Sequence, residues 1–237
     1  MIPTLSRAED DQSIWQAACD LYDQGQYSKA IENYNNLLNR GLESPELYYN
    51  LGNSYYKSKM LGMAVWAYRQ SLLIDPEFKP SLTNLQYARD ANIDQIQSVN
   101  RGFISDIWSF STRLLSMNEY LLLFTISWMA IGLMIAAIFI RKPYSNWTYY
   151  LLIVSAVIAI FSATASIDQI FKVKSRWGVM IRDSAEIREG PGFDFEKVEV
   201  IHDGLELKLI SEREGNFLIE LGNGLRGWVD KRAIIEI

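Results

Sequence analysis

Two long stretches without a charged residue, 120–140 and 147–167, constrain this sequence more than any other feature. Each contains 21 residues, and a helix of that length is about 30 Å long, which matches the hydrocarbon thickness of a bilayer. The short segment 141–146 is all that separates them. The sequence therefore predicts two neighbouring, antiparallel transmembrane helices joined by a loop, rather than two buried helices of a water-soluble core.

Small residues recur at four-residue spacing within both stretches, and this spacing allows membrane helices to pack closely. They are Gly132 and Ala136 in the first stretch, and Ser155, Ala159 and Ala163 in the second. Neither stretch contains Asp, Glu, Lys, Arg or His. Transport paths through membranes usually keep ionisable groups, so the pattern indicates a passive anchor whose helices meet through their small residues.

An even number of crossings predicts that the regions before and after the hairpin share a compartment. The charge rule for sidedness is undecided, because Arg141 and Lys142 in the loop favour a cytoplasmic loop whereas Lys172, Lys174 and Arg176 after the second stretch favour the opposite. Two interpretations of the segment 1–8 remain: a polar tail, or the remnant of a signal peptide. Ser6-Arg7-Ala8 resembles the cleavage pattern of a signal peptide. The second alternative favours both regions lying outside the cytoplasm, in the periplasm.

The region before the hairpin repeats itself with a shift of 34 residues. This shift aligns small or large apolar residues at helical spacing, as in Ala18 with Gly52, Ala30 with Ala64 and Tyr34 with Tyr68. The pattern Asn50-Leu51-Gly52-Asn53, followed by Tyr55-Tyr56, Ala64, Tyr68 and Pro76, resembles the tetratricopeptide repeat (TPR) family. We therefore expect an all-α TPR solenoid over 11–95, with repeats at 11–44 and 45–78 and a capping helix at 80–94.

The resemblance to TPR proteins implies a concave groove that binds peptides. The positions that match this groove are Trp15, Tyr22, Tyr49, Asn53, Tyr56 and Tyr87. Asn53 stands where members that clamp a carboxylate carry an asparagine, but Cys19 occupies the corresponding position of the first repeat. The alternative is that these aromatic side chains pack between the helices. The segment 96–117 then leads to the hairpin, either as an amphipathic interfacial helix or as a simple apolar linker.

The last part of the chain, 176–237, changes to the short alternating runs that predict β-strands. Strands are expected at 179–181, 198–201, 205–210, 216–220 and 227–229, in a small all-β barrel. The run Ala185-Glu186-Ile187-Arg188-Glu189-Gly190-Pro191 and the closing Gly227-Trp228-Val229 resemble the bacterial SH3-like family. That resemblance implies a ligand surface formed by Arg188, Phe217 and Trp228, which could hold peptides or peptidoglycan. The alternative for Trp228 is a packing residue in the core or at the end of a strand.

The composition argues against several classes of function. The net charge of −5 and the absence of a dense basic segment argue against nucleic acid as a partner. One cysteine and one histidine cannot form the usual zinc sites, and the acidic residues are scattered. We therefore expect no catalytic residues, no metal site and no cofactor.

TPR repeats, a two-helix hairpin and an SH3-like domain, in this order, resemble the BatE family of the Bacteroides aerotolerance group. The resemblance implies a multi-domain protein of the bacterial cytoplasmic membrane that acts as a scaffold in envelope stress. The implied partners are Bat proteins with von Willebrand A domains and a MoxR-type ATPase. A tether that holds peptidoglycan through the SH3-like domain is the competing hypothesis.

Overall fold

The computed structural model describes residues 3–94, 107–108, 110–112, 114–140, 146–173 and 175–237. The chain forms two compact units. The first, which we call the α+β unit, combines Met1–Val99 with Arg176–Ile237, and the second, the hairpin unit, comprises Asn100–Ser175. The segments before and after the hairpin thus fold together, whereas the sequence predicted two separate domains.

Five helices build the first part of the α+β unit. They are α1 (Pro3–Asp23), α2 (Tyr27–Asn39), α3 (Pro45–Lys57), α4 (Leu61–Ile74) and α5 (Lys79–Asp90). The sequence explains their ends: Gly25 and Gly41 adopt positive φ after α1 and α2, and the Ser44 side chain caps α3 by accepting a hydrogen bond from Leu47 N at 3.1 Å. Residues 3–8, expected to be a tail or a signal peptide remnant, belong to α1.

The core of these helices uses the positions that the 34-residue shift aligned. Ala18, Ala30, Gly52 and Ala64 are buried, as are the rings of Tyr34 and Tyr68. A Cβ atom at Gly52 would lie 2.6 Å from Cε1 of Tyr68. The absence of a side chain at Gly52 therefore lets the Tyr68 ring lie against the backbone of α3.

Seven antiparallel strands form one sheet in the second part of the α+β unit. They are β1 (Arg176–Met180), β2 (Ser184–Arg188), β3 (Lys197–His202), β4 (Glu206–Arg213), β5 (Asn216–Glu220), β6 (Arg226–Asp230) and β7 (Ile234–Glu236). Their order is β3-β2-β6-β5-β4-β1-β7. The edge strands β3 and β7 do not pair with each other in this order, so the sheet is not closed as the predicted barrel would be. The sequence analysis also missed β2 and β7.

The helices and the sheet share a hydrophobic core. Val179 of β1 is fully buried in the cluster formed by the helices, and Ile235 and Ile237 pack against the same cluster. The indole Nε1 of Trp66 on α4 donates a hydrogen bond to Glu236 O at 3.1 Å. The sheet therefore covers part of α4 that would otherwise face water.

The hairpin unit contains two long helices, α6 (Met117–Ile140) and α7 (Asn146–Val173). Within them, Met117–Ile138 and Trp147–Ile170 are long and apolar enough to cross a membrane. Residues 141–145 of the predicted loop 141–146 and most of the linker 96–117 lie outside the described residues, while Asn146 begins α7. In the described part of the linker, the Trp108 ring contacts Phe161 edge to face, with ring centroids 5.6 Å apart.

The contact between α6 and α7 uses the small residues predicted on α7, where Ala159 is buried and Ser155 and Ala163 are half-buried, but not those predicted on α6. Gly132 and Ala136 are exposed, and a Cβ atom at Gly132 would meet nothing within 4 Å. The least exposed positions instead follow one another at spacings of three or four along each helix, which is typical of left-handed helix pairs. They include Tyr120, Phe124, Ser127, Ile131, Met134 and Ile138 on α6, and Leu152, Ser155, Ala159, Ser162, Ser166 and Gln169 on α7.

Candidate partner-binding groove

One cavity of about 350 Å³ opens between the helices of the α+β unit. Five of the six residues that the sequence predicted for a groove line it. Those five are Tyr22, Tyr49, Asn53, Tyr56 and Tyr87, and they are joined by Lys57, Tyr68 and Asn84. The structure therefore brings together side chains from four helices that are separated by up to 65 positions in the sequence.

Helical periodicity explains how the groove is built. On α3, Tyr49, Asn53 and Tyr56 are spaced by four and three residues, so their side chains lie on one face. On α5, Asn84 and Tyr87 share a face for the same reason. The two faces therefore form opposite walls, with the more deeply buried residues between them.

Hydrogen bonds fix the orientation of Asn53 at the bottom of the groove. Its Oδ1 accepts a hydrogen bond from Tyr68 Oη at 2.8 Å and another from Asn84 Nδ2 at 2.7 Å. Because both bonds use the carbonyl oxygen, they hold the Nδ2 amide of Asn53 in a defined direction. That amide carries two N–H donors, which are suited to bind a carbonyl or carboxylate oxygen of a ligand.

The hydroxyls of Tyr22 and Tyr68 stay protonated over the ordinary pH range. Burial raises the pKa of Tyr68, although the hydrogen bond with Asn84 acts in the opposite direction. Burial also raises the pKa of Tyr22, and the neighbouring Tyr27 adds to this effect. Lys57 is the one ordinarily charged side chain among the residues that line the cavity. The groove therefore offers tyrosine hydroxyls, amides and the Lys57 amine, and none of the described residues that line it carries a carboxylate.

Aromatic surface at the mouth of the groove is available for contact. The side chain of Tyr87 is 63% exposed, and Tyr56 on the opposite wall is also exposed. Tyr49 is half-buried, and its ring lies edge to face with Phe78 at a centroid distance of 5.9 Å. Exposed tyrosines beside ordered hydrogen-bond donors are common at protein interfaces, because one side chain supplies both apolar area and a polar group.

Trp15 does not line the cavity, contrary to the expectation from the sequence. Its ring packs edge to face on Tyr34 at 5.9 Å and contacts the helical core. Tyr34 Oη in turn lies 3.5 Å from Cys19 Sγ. At this end of the solenoid, the aromatic residues therefore fill space between α1 and α2, as the alternative interpretation of these positions required.

Lys57, Tyr68 and Asn84 were missed as groove residues. Asn84 lies three positions before Tyr87 on α5, so helical spacing could have placed it on the same wall. Tyr68 matched the repeat pattern but was read as a packing residue only. No sequence pattern indicates that its hydroxyl would bond to Asn53, because that contact depends on how α3 and α4 are oriented.

A second cavity, of about 190 Å³, lies on the sheet and is lined in part by Arg188, Phe193 and Trp228. Arg188 and Trp228 were predicted for a ligand surface, and the structure brings them together. Phe217, the third predicted residue, is 1% exposed and belongs to the core of the sheet. Arg176 and Lys231 lie over its ring at 5.8 and 5.3 Å from the centroid. A ligand therefore cannot reach Phe217.

Comparison with known proteins finds a match for part of the helical region. The family model described as TPR repeat matches residues 20–59, which run from the end of α1 through α2 and α3. No curated protein matches the chain. Among the residues that the structure describes, no group of three or more His, Cys, Asp or Glu could hold a metal ion. The chain thus contains a TPR repeat, a motif typical of protein–protein interaction, within the helices that form the groove.

Proposed function

We propose that this protein is a non-catalytic, membrane-anchored adaptor that binds an extended peptide segment of a partner protein in the groove. The observation that carries the proposal is the convergence of Tyr22, Tyr49, Asn53, Tyr56 and Tyr87 on one cavity within TPR-type helices. Peptide binding fits these groups, because the Asn53 amide can donate to a peptide carbonyl while the tyrosine rings contact apolar side chains.

The surface of the hairpin unit supports membrane anchoring. Only 6% of the first candidate span and 22% of the second is buried, whereas core helices of water-soluble proteins are mostly buried. Large apolar side chains, such as Trp128, Leu133 and Ile160, are exposed on these helices. The hydroxyl groups of Ser162 and Ser166 on α7 donate to carbonyl oxygens four positions earlier, at 2.6 and 2.8 Å. These bonds satisfy polar groups that would be costly in lipid.

The α+β unit is built from the segments before and after the hairpin, and this supports an even number of membrane crossings. The chain leaves this unit after α5 and returns to it at β1, so both of its parts must lie on one side of the membrane. We propose the periplasmic side, on the resemblance to the BatE family. The same resemblance suggests Bat proteins with von Willebrand A domains and a MoxR-type ATPase as partners in an envelope stress complex.

The test is selection of binding peptides from a display library of random 12-residue sequences on the full-length protein in lipid nanodiscs. A triple variant with Asn53→Asp, Tyr56→Ala and Tyr87→Ala serves for counter-selection. Asn53→Asp keeps the oxygen that accepts from Tyr68 and Asn84 but replaces the outward donor with an acceptor. Leu82→Ala, an exposed position of α5 outside the cavity, is the matched control.

We expect peptides that bind the wild type and the Leu82→Ala variant with equal affinity and bind the triple variant at least tenfold more weakly, because truncating the few aromatic residues that dominate an interface costs about 2 kcal/mol or more. Circular dichroism should show the same helix content in all three proteins. If every enriched peptide binds the triple variant as well as the wild type, the groove is not the binding site.

The cavity on the sheet supports a second candidate, an envelope tether that binds peptidoglycan. Phe193 at its rim is 84% exposed, and aromatic rings of this kind stack on sugars. The test is sedimentation of the full-length protein with purified sacculi. Phe193→Ala together with Trp228→Ala should abolish co-sedimentation, whereas Ile210→Ala, an exposed apolar position outside this cavity, should not. Equal sedimentation of all variants would exclude this cavity as the wall-binding site.

A further inference from the structure

One carboxylate of the sheet holds two helices of the groove at the same time. Glu206, the first residue of β4, forms ion pairs with Arg69 of α4 and Arg89 of α5. Its Oε1 faces Arg69 Nε, and its Oε2 accepts hydrogen bonds from Arg89 Nε at 2.7 Å. The Glu206 side chain is 14% exposed. Charge-assisted hydrogen bonds of such partly buried groups are stronger and more specific in direction than ordinary surface ion pairs.

Both arginines lie next to residues of the groove. Arg69 directly follows Tyr68, whose hydroxyl bonds to Asn53. Arg89 lies two positions after Tyr87 on α5, the helix that also carries Asn84. Glu206 therefore fixes the spacing between α4, which carries Tyr68 at the bottom of the groove, and α5, which carries the wall with Asn84 and Tyr87. The same spacing determines whether Tyr68 and Asn84 can donate hydrogen bonds to Asn53 Oδ1 at the same time.

A second contact holds the same wall to the sheet beyond the end of α5. Asp94 accepts a hydrogen bond from the backbone N–H of His202, and its Oδ1 lies 2.8 Å from His202 Nδ1. The last helix of a solenoid lacks the neighbour that a further repeat would supply, and it usually needs a cap. In this chain the sheet contacts the last helix through residues that follow it in the sequence by more than 100 positions.

We propose that the C-terminal sheet acts as the cap that holds the α5 wall of the groove, and that Glu206 is the positioning residue for peptide binding. The expected loss of peptide affinity rests on the proposed function of the groove. The expected release of α5 does not, because it needs no ligand. Loss of the Glu206 carboxylate releases α5, so that Asn84 and Tyr87 are no longer held against Asn53. Peptide affinity then falls although no residue that touches the peptide has changed.

The test measures hydrogen–deuterium exchange by mass spectrometry on the full-length protein in nanodiscs, with Glu206→Gln and Arg89→Gln as separate variants. Glu220→Gln is the matched control, because it breaks an exposed pair with Arg226 on the same sheet. We expect the amides of Lys79–Asp90 to exchange about tenfold faster in both test variants, through local opening of α5. Exchange in α2 and the midpoint of global unfolding should be unchanged.

A charge-reversed protein provides the rescue, with Glu206→Arg combined with Arg69→Glu and Arg89→Glu. It should restore slow exchange in α5 and, with any peptide selected on the wild type, recover the affinity that Glu206→Gln loses. Unchanged exchange of α5 in Glu206→Gln and Arg89→Gln would overturn the proposal, as would faster exchange spread evenly over all helices. Because exchange is measured without peptide, it tests whether Glu206 holds α5 even if the groove binds no peptide. A refutation of this role can therefore be told apart from a refutation of peptide binding.

Discussion

Asp203 caps a helix that lies far from it in the sequence. Its Oδ1 accepts a hydrogen bond from Gly62 N, at the start of α4, at 2.8 Å. Met60, which precedes α4 in the chain, provides no side-chain cap. The first N–H groups of a helix have no partner within the helix, and an acceptor placed there stabilises it. The loop between β3 and β4 therefore supplies the cap that the sequence around α4 lacks.

Two substitutions separate the roles of shape and charge at Asp203. Asp203→Ala removes the acceptor and leaves Gly62 N without its partner inside the packed unit, which we expect to lower the free energy of unfolding by about 1 to 2 kcal/mol. Asp203→Asn keeps an acceptor oxygen of the same size and removes the cost of burying a charge. We expect it to lie within about 0.5 kcal/mol of the wild type at neutral pH.

The pH dependence follows from the direction of the pKa shift. Burial raises the pKa of Asp203, against the opposing effect of hydrogen bonds from the backbone of Gly62 and Leu61. The folded chain therefore holds this proton more tightly than the unfolded chain does. The contribution of Asp203 to the free energy of unfolding is largest at low pH and falls as the pH rises from the ordinary aspartate pKa, about 3.9, through the raised folded value. Asp203→Asn should remove this contribution.

The assay is urea unfolding of the full-length protein in detergent micelles, followed by circular dichroism at pH 4 and pH 7. The matched control is Asp194→Ala, an exposed aspartate on the loop after β2, which should change the unfolding free energy by less than about 0.5 kcal/mol. A loss in Asp203→Asn as large as that in Asp203→Ala would refute the capping argument. Equal stability of all four proteins at neutral pH would show that α4 does not depend on this contact.

Four further substitutions test the packing and groove assignments. Gly52→Ala should lower the free energy of unfolding by about 1 to 3 kcal/mol, because the new Cβ would lie 2.6 Å from the Tyr68 ring; urea unfolding measures this. Phe217→Ala should cost about 3 to 5 kcal/mol, since this ring is fully buried in the sheet. Tyr87→Ala should weaken binding of a selected peptide at least tenfold with unchanged stability, whereas Trp15→Ala should lower stability by more than about 1 kcal/mol without a direct effect on the groove.

Each of these assignments has an outcome that contradicts it. Wild-type stability of Gly52→Ala would mean that α3 and α4 are farther apart than the structure shows. A stable Phe217→Ala protein would place that ring at the surface, as the SH3-like resemblance implied. Loss of peptide binding in Trp15→Ala at full stability would return that residue to the groove.

The sequence predicted those features that depend on local periodicity. The two helices of the hairpin unit follow from their uncharged length, and the five helices before them follow from the 34-residue repeat. Most of the groove was predicted for the same reason, because Tyr49, Asn53 and Tyr56 share a face on any regular helix. The resemblance to TPR proteins then indicated that this face of the helix lines the concave groove.

Features that depend on how elements meet were not predictable from the same patterns. The small residues Gly132 and Ala136 suggested a contact face of α6, yet they are exposed. Two helices can approach closely when only one of them has small residues at the contact. On α7, Ala159, Ser162 and Ser166 are such residues, and they are buried. The resemblance to SH3-like domains placed Phe217 at a ligand surface, and alternation along a strand could not correct this, because it gives two faces without saying which is buried. Only the packed sheet distinguishes them.

The contacts between the sheet and the helices explain why two segments that are distant in sequence form one unit. Polar pairs across this boundary, such as Gly62 with Asp203 and Arg89 with Glu206, join residues more than 100 positions apart. No sequence pattern indicates that these residues pair, because each contact depends on how the sheet meets the helices. The hairpin is an insertion between them, and closing so long a loop costs little more entropy than closing a short one. A segment of this length can therefore be inserted here while the sheet and the helices still pack together in one unit.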